Sequence, residues 1–169
     1  MSAPRVLVAG IGNIFLGDDG FGVAVVQRMV QRGVLKSVCI RDFGIRGLDL
    51  VYALMDGYDI LILVDAMQQG RAPGTVFVME PDVDHTSMDG YAAPEPHSMT
   101  PIKVFSLLNS MGGAPPKITR LVGCEPESFG LEQEGRMGLS VPVAGAVDAA
   151  ANIVETLTIE LVASFNANA

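Results

Sequence analysis

The chain has no tryptophan and only 6% aromatic residues, too few for a platform that stacks bases or sugars. It has only two cysteines, Cys39 and Cys124, far apart and in no metal-ligand spacing. That excludes a disulfide framework and reads as reduced, cytosolic thiols. Cations are scarce: eleven Lys and Arg against nineteen Asp and Glu give a net charge of −8. Nucleic acid and anionic membranes require clustered positive charge, so neither is an expected partner. No run approaches the roughly 18 apolar residues of a membrane span. Met1-Ser2-Ala3-Pro4 leads directly into Arg5-Val6-Leu7-Val8-Ala9 without the pattern of a signal peptide, so the expected location is cytoplasmic. What the chain does have is apolar residues, 49% of the total against 18% charged, enough for a sizeable core. With 169 residues and no repeat or linker, one domain over 1–169 is expected.

The apolar residues alternate between strand and helix patterns. Val6 to Ala9 is a short buried-strand run ended by Gly10, followed by the glycine-rich stretch Gly10 to Gly20. Val23, Val26 and Val30, with Val25 and Met29, recur at helical spacing up to Gly33, a C-terminal cap. Ser37 to Arg41 reads as a second strand. Leu48, Val51, Tyr52 and Met55 read as an amphipathic helix. Ile60-Leu61-Ile62-Leu63-Val64, set between Asp59 and Asp65, is the clearest buried strand. Gly74 to Met79 reads as a strand that follows without an intervening helix, hence an antiparallel member. Pro81 to His97 has no periodicity and reads as a long functional loop. Thr100 to Met111 is a helix with Pro101 in its first turn, and Lys117 to Gly123 a strand. Ser140 caps a final helix carrying Val143, Val147, Ala150, Val154, Leu157 and Leu161. The order predicts a three-layer α/β/α sandwich with a mostly parallel sheet, whose sites lie beyond the carboxyl ends of the parallel strands.

The glycine-rich loop invites a nucleotide reading that its residues oppose. Gly10 and Gly12 are followed by Phe15 where the dinucleotide fingerprint has its third glycine, and no Gly-Lys-Ser/Thr is present. Asp18 and Asp19 would repel a phosphate at the helix start. Both acids suit capping, but one cap suffices, which leaves a second carboxylate for chemistry. Asp65, at the carboxyl end of the central strand, reads equally as a turn-forming acid or a functional group. His97 precedes the next helix and reads equally as a capping histidine or a ligand. His85 has nothing to fix it. Two carboxylates and an imidazole make a mixed oxygen and nitrogen set suited to a first-row divalent metal. Ser98 cannot face its neighbour His97, and Glu125 and Glu127 beside Cys124 raise rather than lower a thiol pKa. An Asp19–Asp65 dyad of the aspartic-protease kind lacks the Asp-Thr/Ser-Gly setting.

Five stretches together resemble the NiFe-hydrogenase maturation endopeptidases. Val8-Ala9-Gly10-Ile11-Gly12-Asn13-Ile14-Phe15-Leu16-Gly17-Asp18-Asp19-Gly20-Phe21-Gly22 is similar to their N-terminal signature. Asp42-x-Gly44-x-x-Gly47, Ile60 to Ala66, Pro96-His97-Ser98-Met99 and Gly123-Cys124-Glu125-Pro126-Glu127 resemble the next four, in order and spacing. Phe43 departs from the glycine many members carry. The resemblance implies a five-stranded twisted sheet. It implies an endopeptidase that removes the C-terminal extension of a NiFe-hydrogenase large-subunit precursor after nickel insertion. It assigns the metal-contacting and catalytic set to Asp19, Asp65 and His97, with Asp19 rather than Asp18 as the first acid. Nickel is then expected to arrive with the substrate, with no organic cofactor. The competing expectation is a nickel-binding chaperone or sensor with the same ligands and no hydrolysis.

Overall fold

A computed structural model describes residues 3–33, 35, 37–82, 100–130, 135 and 137–168. In chain order the elements are β1 (Val6–Ile11), a 3-10 turn (Gly17–Gly20), α1 (Phe21–Arg32), β2 (Cys39–Gly44), α2 (Gly47–Met55), β3 (Ile60–Ala66), β4 (Val76–Met79), α3 (Pro101–Ser110), β5 (Ile118–Cys124) and α4 (Val141–Ala167). The strands form one sheet in the order β2-β1-β3-β5-β4. All neighbours are parallel except β4, which pairs antiparallel with β5. The expected α/β/α sandwich with five strands, one of them antiparallel, is the observed fold.

β1 and β3 are buried along their whole length, which is why both are near-continuous aliphatic runs. Strand periodicity divides their side chains between two cores. Val8, Ile62, Val64 and Val122 face α1 and α4. Leu7, Leu61, Leu63 and Leu121 face α2 and α3. Each fully buried large aliphatic contributes about 1.5–3 kcal/mol relative to exposure. α1 ends where Gly33, at φ 64°, donates its N–H to the Met29 carbonyl. α3 begins at Thr100, whose side chain accepts from the Lys103 N–H at 3.4 Å.

Two readings are corrected. β2 runs over Cys39–Gly44 rather than 37–41, because the carboxyl half of β1 offers Asp42 and Gly44 partners in Gly10 and Ile11. The buried residues of α2 are Leu50, Val51, Ala53 and Leu54, whereas Leu48, Tyr52 and Met55 are exposed. The helix reads Gly-Leu-Asp-Leu-Val-Tyr-Ala-Leu-Met, so apolar residues nearly encircle it and periodicity cannot choose its face.

The chain steps from β1 outward to β2 through α1 and then crosses back over β1 to β3 through α2, with the two helices on opposite faces of the sheet. The carboxyl ends of β1 and β3 therefore flank a switch point, where open α/β sheets form a crevice.

Candidate functional site

The loop leaving β1 is folded by its own backbone and two short polar side chains. Gly12 sits at φ +129°, and a Cβ there would strike the Asp19 carbonyl, so the position needs glycine for both conformation and space. Its N–H reaches the Gly44 carbonyl at 3.0 Å, tying the loop to the end of β2. Asn13 turns the chain by accepting the Phe15 N–H on its side-chain oxygen at 2.9 Å. The Asp19 carboxylate accepts the Asn13 N–H at 2.7 Å. Asp19 is partly buried. Burial raises its pKa above the ordinary carboxylate value, against the lowering effect of the Asn13 bond.

Asp65 is the sixth residue of β3, paired with Gly123 and only 8% exposed. Strand alternation puts its side chain on the same face as Leu61 and Leu63, at the carboxyl edge. Its pKa is pushed well above the usual range, first by burial and then by the negative charge of Asp19, with the Ala66 backbone bond opposing. The structure therefore brings Asp19 and Asp65 close enough at the switch point for one to oppose ionisation of the other. Two such carboxylates either share a proton or call for a cation. Among the described residues no group of three His, Cys, Asp or Glu could hold a metal ion. His97 lies outside the described residues, as do His85 and Ser98. Thr100, the N-cap of α3, is the first described residue after His97.

Asp18 differs from its expected part. It makes no capping bond at the 3-10 turn and is 1% exposed. Its carboxylate accepts four hydrogen bonds: from the Glu127 N–H at 2.8 Å, the Ser128 N–H at 3.1 Å, the Ser140 N–H at 2.7 Å and the Ser140 hydroxyl at 2.9 Å. Its own N–H returns a bond to the Ser128 carbonyl at 3.2 Å. Burial alone would raise its pKa, but the bonds from Ser140, Ser128 and Glu127 outweigh it and hold Asp18 below the ordinary value. Ser140 does stand at the N-cap of α4, yet its side chain caps nothing there and is spent on Asp18. Sequence reasoning missed this contact, since nothing local links residues 122 positions apart.

The remaining candidates are accounted for structurally. Burial, and then Asp18 and Glu125, push the Cys124 thiol up to about 11, which removes it as a nucleophile near neutral pH. Glu125 is buried, and its carboxylate accepts the Gln69 N–H at 2.7 Å, bracing the loop that follows β3. Its role also escaped the sequence reading. Phe43 is buried in the α2–α3 core, and Arg46 closes the turn after it with bonds to the Asp42 and Phe43 carbonyls.

Residues 23–157 match the family model described as hydrogenase maturation protease. A hydrogenase expression/formation protein, HupD of Rhizobium leguminosarum bv. viciae, is 39% identical over 149 residues, covering 88% of this chain and 71% of that protein. The hydrogenase 2 maturation protease of Escherichia coli is 34% identical over 148 residues, covering 86% and 85%. Among solved structures, the E. coli hydrogenase maturating endopeptidase HybD superposes with a TM-score of 0.73 at 30% identity, over 92% of this chain and 93% of that one.

Proposed function

The chain belongs to the hydrogenase maturation protease family and is a peptidase, and from that premise we propose that it removes the C-terminal extension of a NiFe-hydrogenase large-subunit precursor after nickel insertion. In this reading Asp19, Asp65 and His97 grip the nickel that the precursor carries, and so hold the scissile bond against the enzyme. The observation that carries the reading is the pair of mutually repelling carboxylates at the switch point. That donor set is incomplete by itself and complemented by a divalent ion. His97, three residues before Thr100 in the sequence, is the third ligand that the family resemblance implies.

The surroundings favour a protein substrate. Ile14 and Phe15 in the first loop and Ile45 and Leu48 beside it are large apolar residues 44–60% exposed, and the two loops are joined through Gly12 and Gly44. Exposed apolar groups at the mouth of a site suit a macromolecular partner. No helix among the described residues is long and apolar enough to cross a membrane.

For the chemistry, the substrate's metal can polarise the scissile carbonyl or acidify a water. Alternatively, a carboxylate oxygen of the pair that is not taken up by the metal can accept the water's proton. The test uses metal-stripped protein with nickel-loaded and nickel-free precursor, read by mass spectrometry. Shortening of only the loaded precursor at its C-terminus is expected. Cutting of the nickel-free precursor, or a need to restore zinc to the protease first, would refute the substrate-metal mechanism. Tight nickel uptake with no cutting would make the protein a carrier.

A further inference from the structure

Asp18 has a position in the molecule that neither a cap nor a ligand explains. It is fully buried, yet it lies beside Asp19 in the same turn, and all four of its bonds cross to parts of the chain more than a hundred residues away. Two partners belong to the segment that follows β5, and two belong to Ser140 at the start of α4. Oδ2 accepts three of these bonds and Oδ1 the fourth, and at 1% exposure the carboxylate is turned inward, away from any substrate or metal. The turn it anchors is short: the Asp19 N–H bonds the Leu16 carbonyl at 3.2 Å, and the Asp19 carboxylate bonds the Asn13 N–H at 2.7 Å. If the Gly17–Gly20 turn is fixed at Asp18, the direction of the Asp19 side chain is fixed with it.

We propose that Asp18 is a positioning residue: it clamps the 3-10 turn to the β5 segment and the head of α4, and through that clamp aims the Asp19 carboxylate at the partner side chain Asp65. The inference rests on the proposed site containing Asp19. It goes beyond that reading because Asp18 itself touches neither substrate nor metal. The neutral isostere leaves the shape of the residue but replaces one acceptor oxygen by an amide donor, which then faces N–H groups that also donate. The turn should shift rather than unfold.

The test compares full-length wild type, Asp18→Asn, Ser140→Ala and Asp19→Asn. Each is assayed for kcat and KM on nickel-loaded precursor, for thermal melting, and for the amide resonance of Asn13 by NMR. The Asn13 N–H bonds Asp19 and is not among the donors to Asp18, so its amide reports the Asp19 carboxylate and is not moved by a clamp that only stabilises α4. Because misplacing a reacting group by about 1 Å costs on the order of 100-fold, kcat for Asp18→Asn should fall by roughly 10- to 100-fold. KM should rise as well, because Asp19 grips the nickel of the precursor, and the Asn13 resonance should move. Ser140→Ala removes one bond of four and no helix cap, so it should give a smaller loss in the same direction with a normal melt. It decides the matter if Asp18→Asn does not fold. Wild-type kcat and an unmoved Asn13 amide in the folded clamp variants, with Asp19→Asn inactive, would overturn the inference alone. A fully active Asp19→Asn would overturn the site reading beneath it and this inference with it.

Discussion

Asp65 is an ionisable group held where ionisation is costly, and the cost has a sign that can be measured. Its pKa in the fold lies well above the ordinary carboxylate value, so the folded state holds a proton over a pH range in which the unfolded chain has released it. The stability contributed by the protonated acid is complete below the unfolded value and is lost as pH rises through the folded one. Asp65→Asn should therefore abolish cleavage yet raise Tm. The gain should widen from pH 4 upward until the native acid is ionised. With about 2–4 °C per kcal/mol for a chain of this size, a shift of a few degrees is expected. Melting curves of both proteins at several pH values check it, and a variant that melts below wild type at pH 8 would contradict it. Cys124 makes the opposite case. With its thiol pushed up to about 11, almost no thiolate exists at neutral pH. Cys124→Ala should lose about 1 kcal/mol of stability through poorer packing and keep its kcat, as measured by precursor cleavage per folded molecule. At this scale the sequence was informative about which acids sit at strand ends, because a charge closing an aliphatic run stands out. It was silent about Asp18, whose partners at Glu127, Ser128 and Ser140 are set by tertiary contact alone.

Among the elements, α1 is set against the sheet edge with no space to spare. A Cβ at Gly22 would press on the Val64 and Ile11 carbonyls, so the helix start lies directly on the ends of β3 and β1. Replacing glycine by alanine inside a helix ordinarily stabilises by about 0.5–1 kcal/mol. Here Gly22→Ala should instead destabilise by about 1–3 kcal/mol, because overpacking lifts the helix. It should also lower cleavage by shifting the turn that carries Asp19. Urea midpoints read the first effect, and an unchanged or higher midpoint would show that α1 has slack. The glycines of this loop were legible as a strand-to-helix loop whose acids oppose phosphate, and the structure gives Gly10 and Gly22 the task of letting helix approach sheet. β3 was readable because burial on both faces leaves only aliphatics. The extent of β2 was not, since the pairing offered by β1 extends a strand whose own residues, Asp42 and Gly44, look like a loop. The outward residues of α2 were misread because its apolar residues surround the axis.

For the whole molecule, the layer containing α1 and α4 is joined on its outside by Arg32. It bonds Asn152 at 2.8 Å, Asp148 at 2.8 Å and Glu155 at 3.3 Å. In a chain of net charge −8 this cation also relieves repulsion among acids. Arg32→Ala should lower Tm at low ionic strength, and the difference from wild type should shrink in 1 M NaCl, where the screening length falls to about 3 Å. Equal differences in both salts would mean that Arg32 acts by packing. The sandwich itself was legible from the order of elements, because alternating strands and helices leave few topologies. The Asp18 clamp has a further consequence in time. Ser140 is 122 residues from Asp18, and at about 5–20 residues per second roughly 6–24 s of synthesis separate them. Once residue 65 has been made, a growing chain holds both Asp19 and Asp65 but not yet the serine that secures Asp18 beside the first of them. A ribosome-bound chain stalled before Ser140 should therefore leave mature precursor uncut, and cutting should begin only when the last helix is free to fold back onto the first loop.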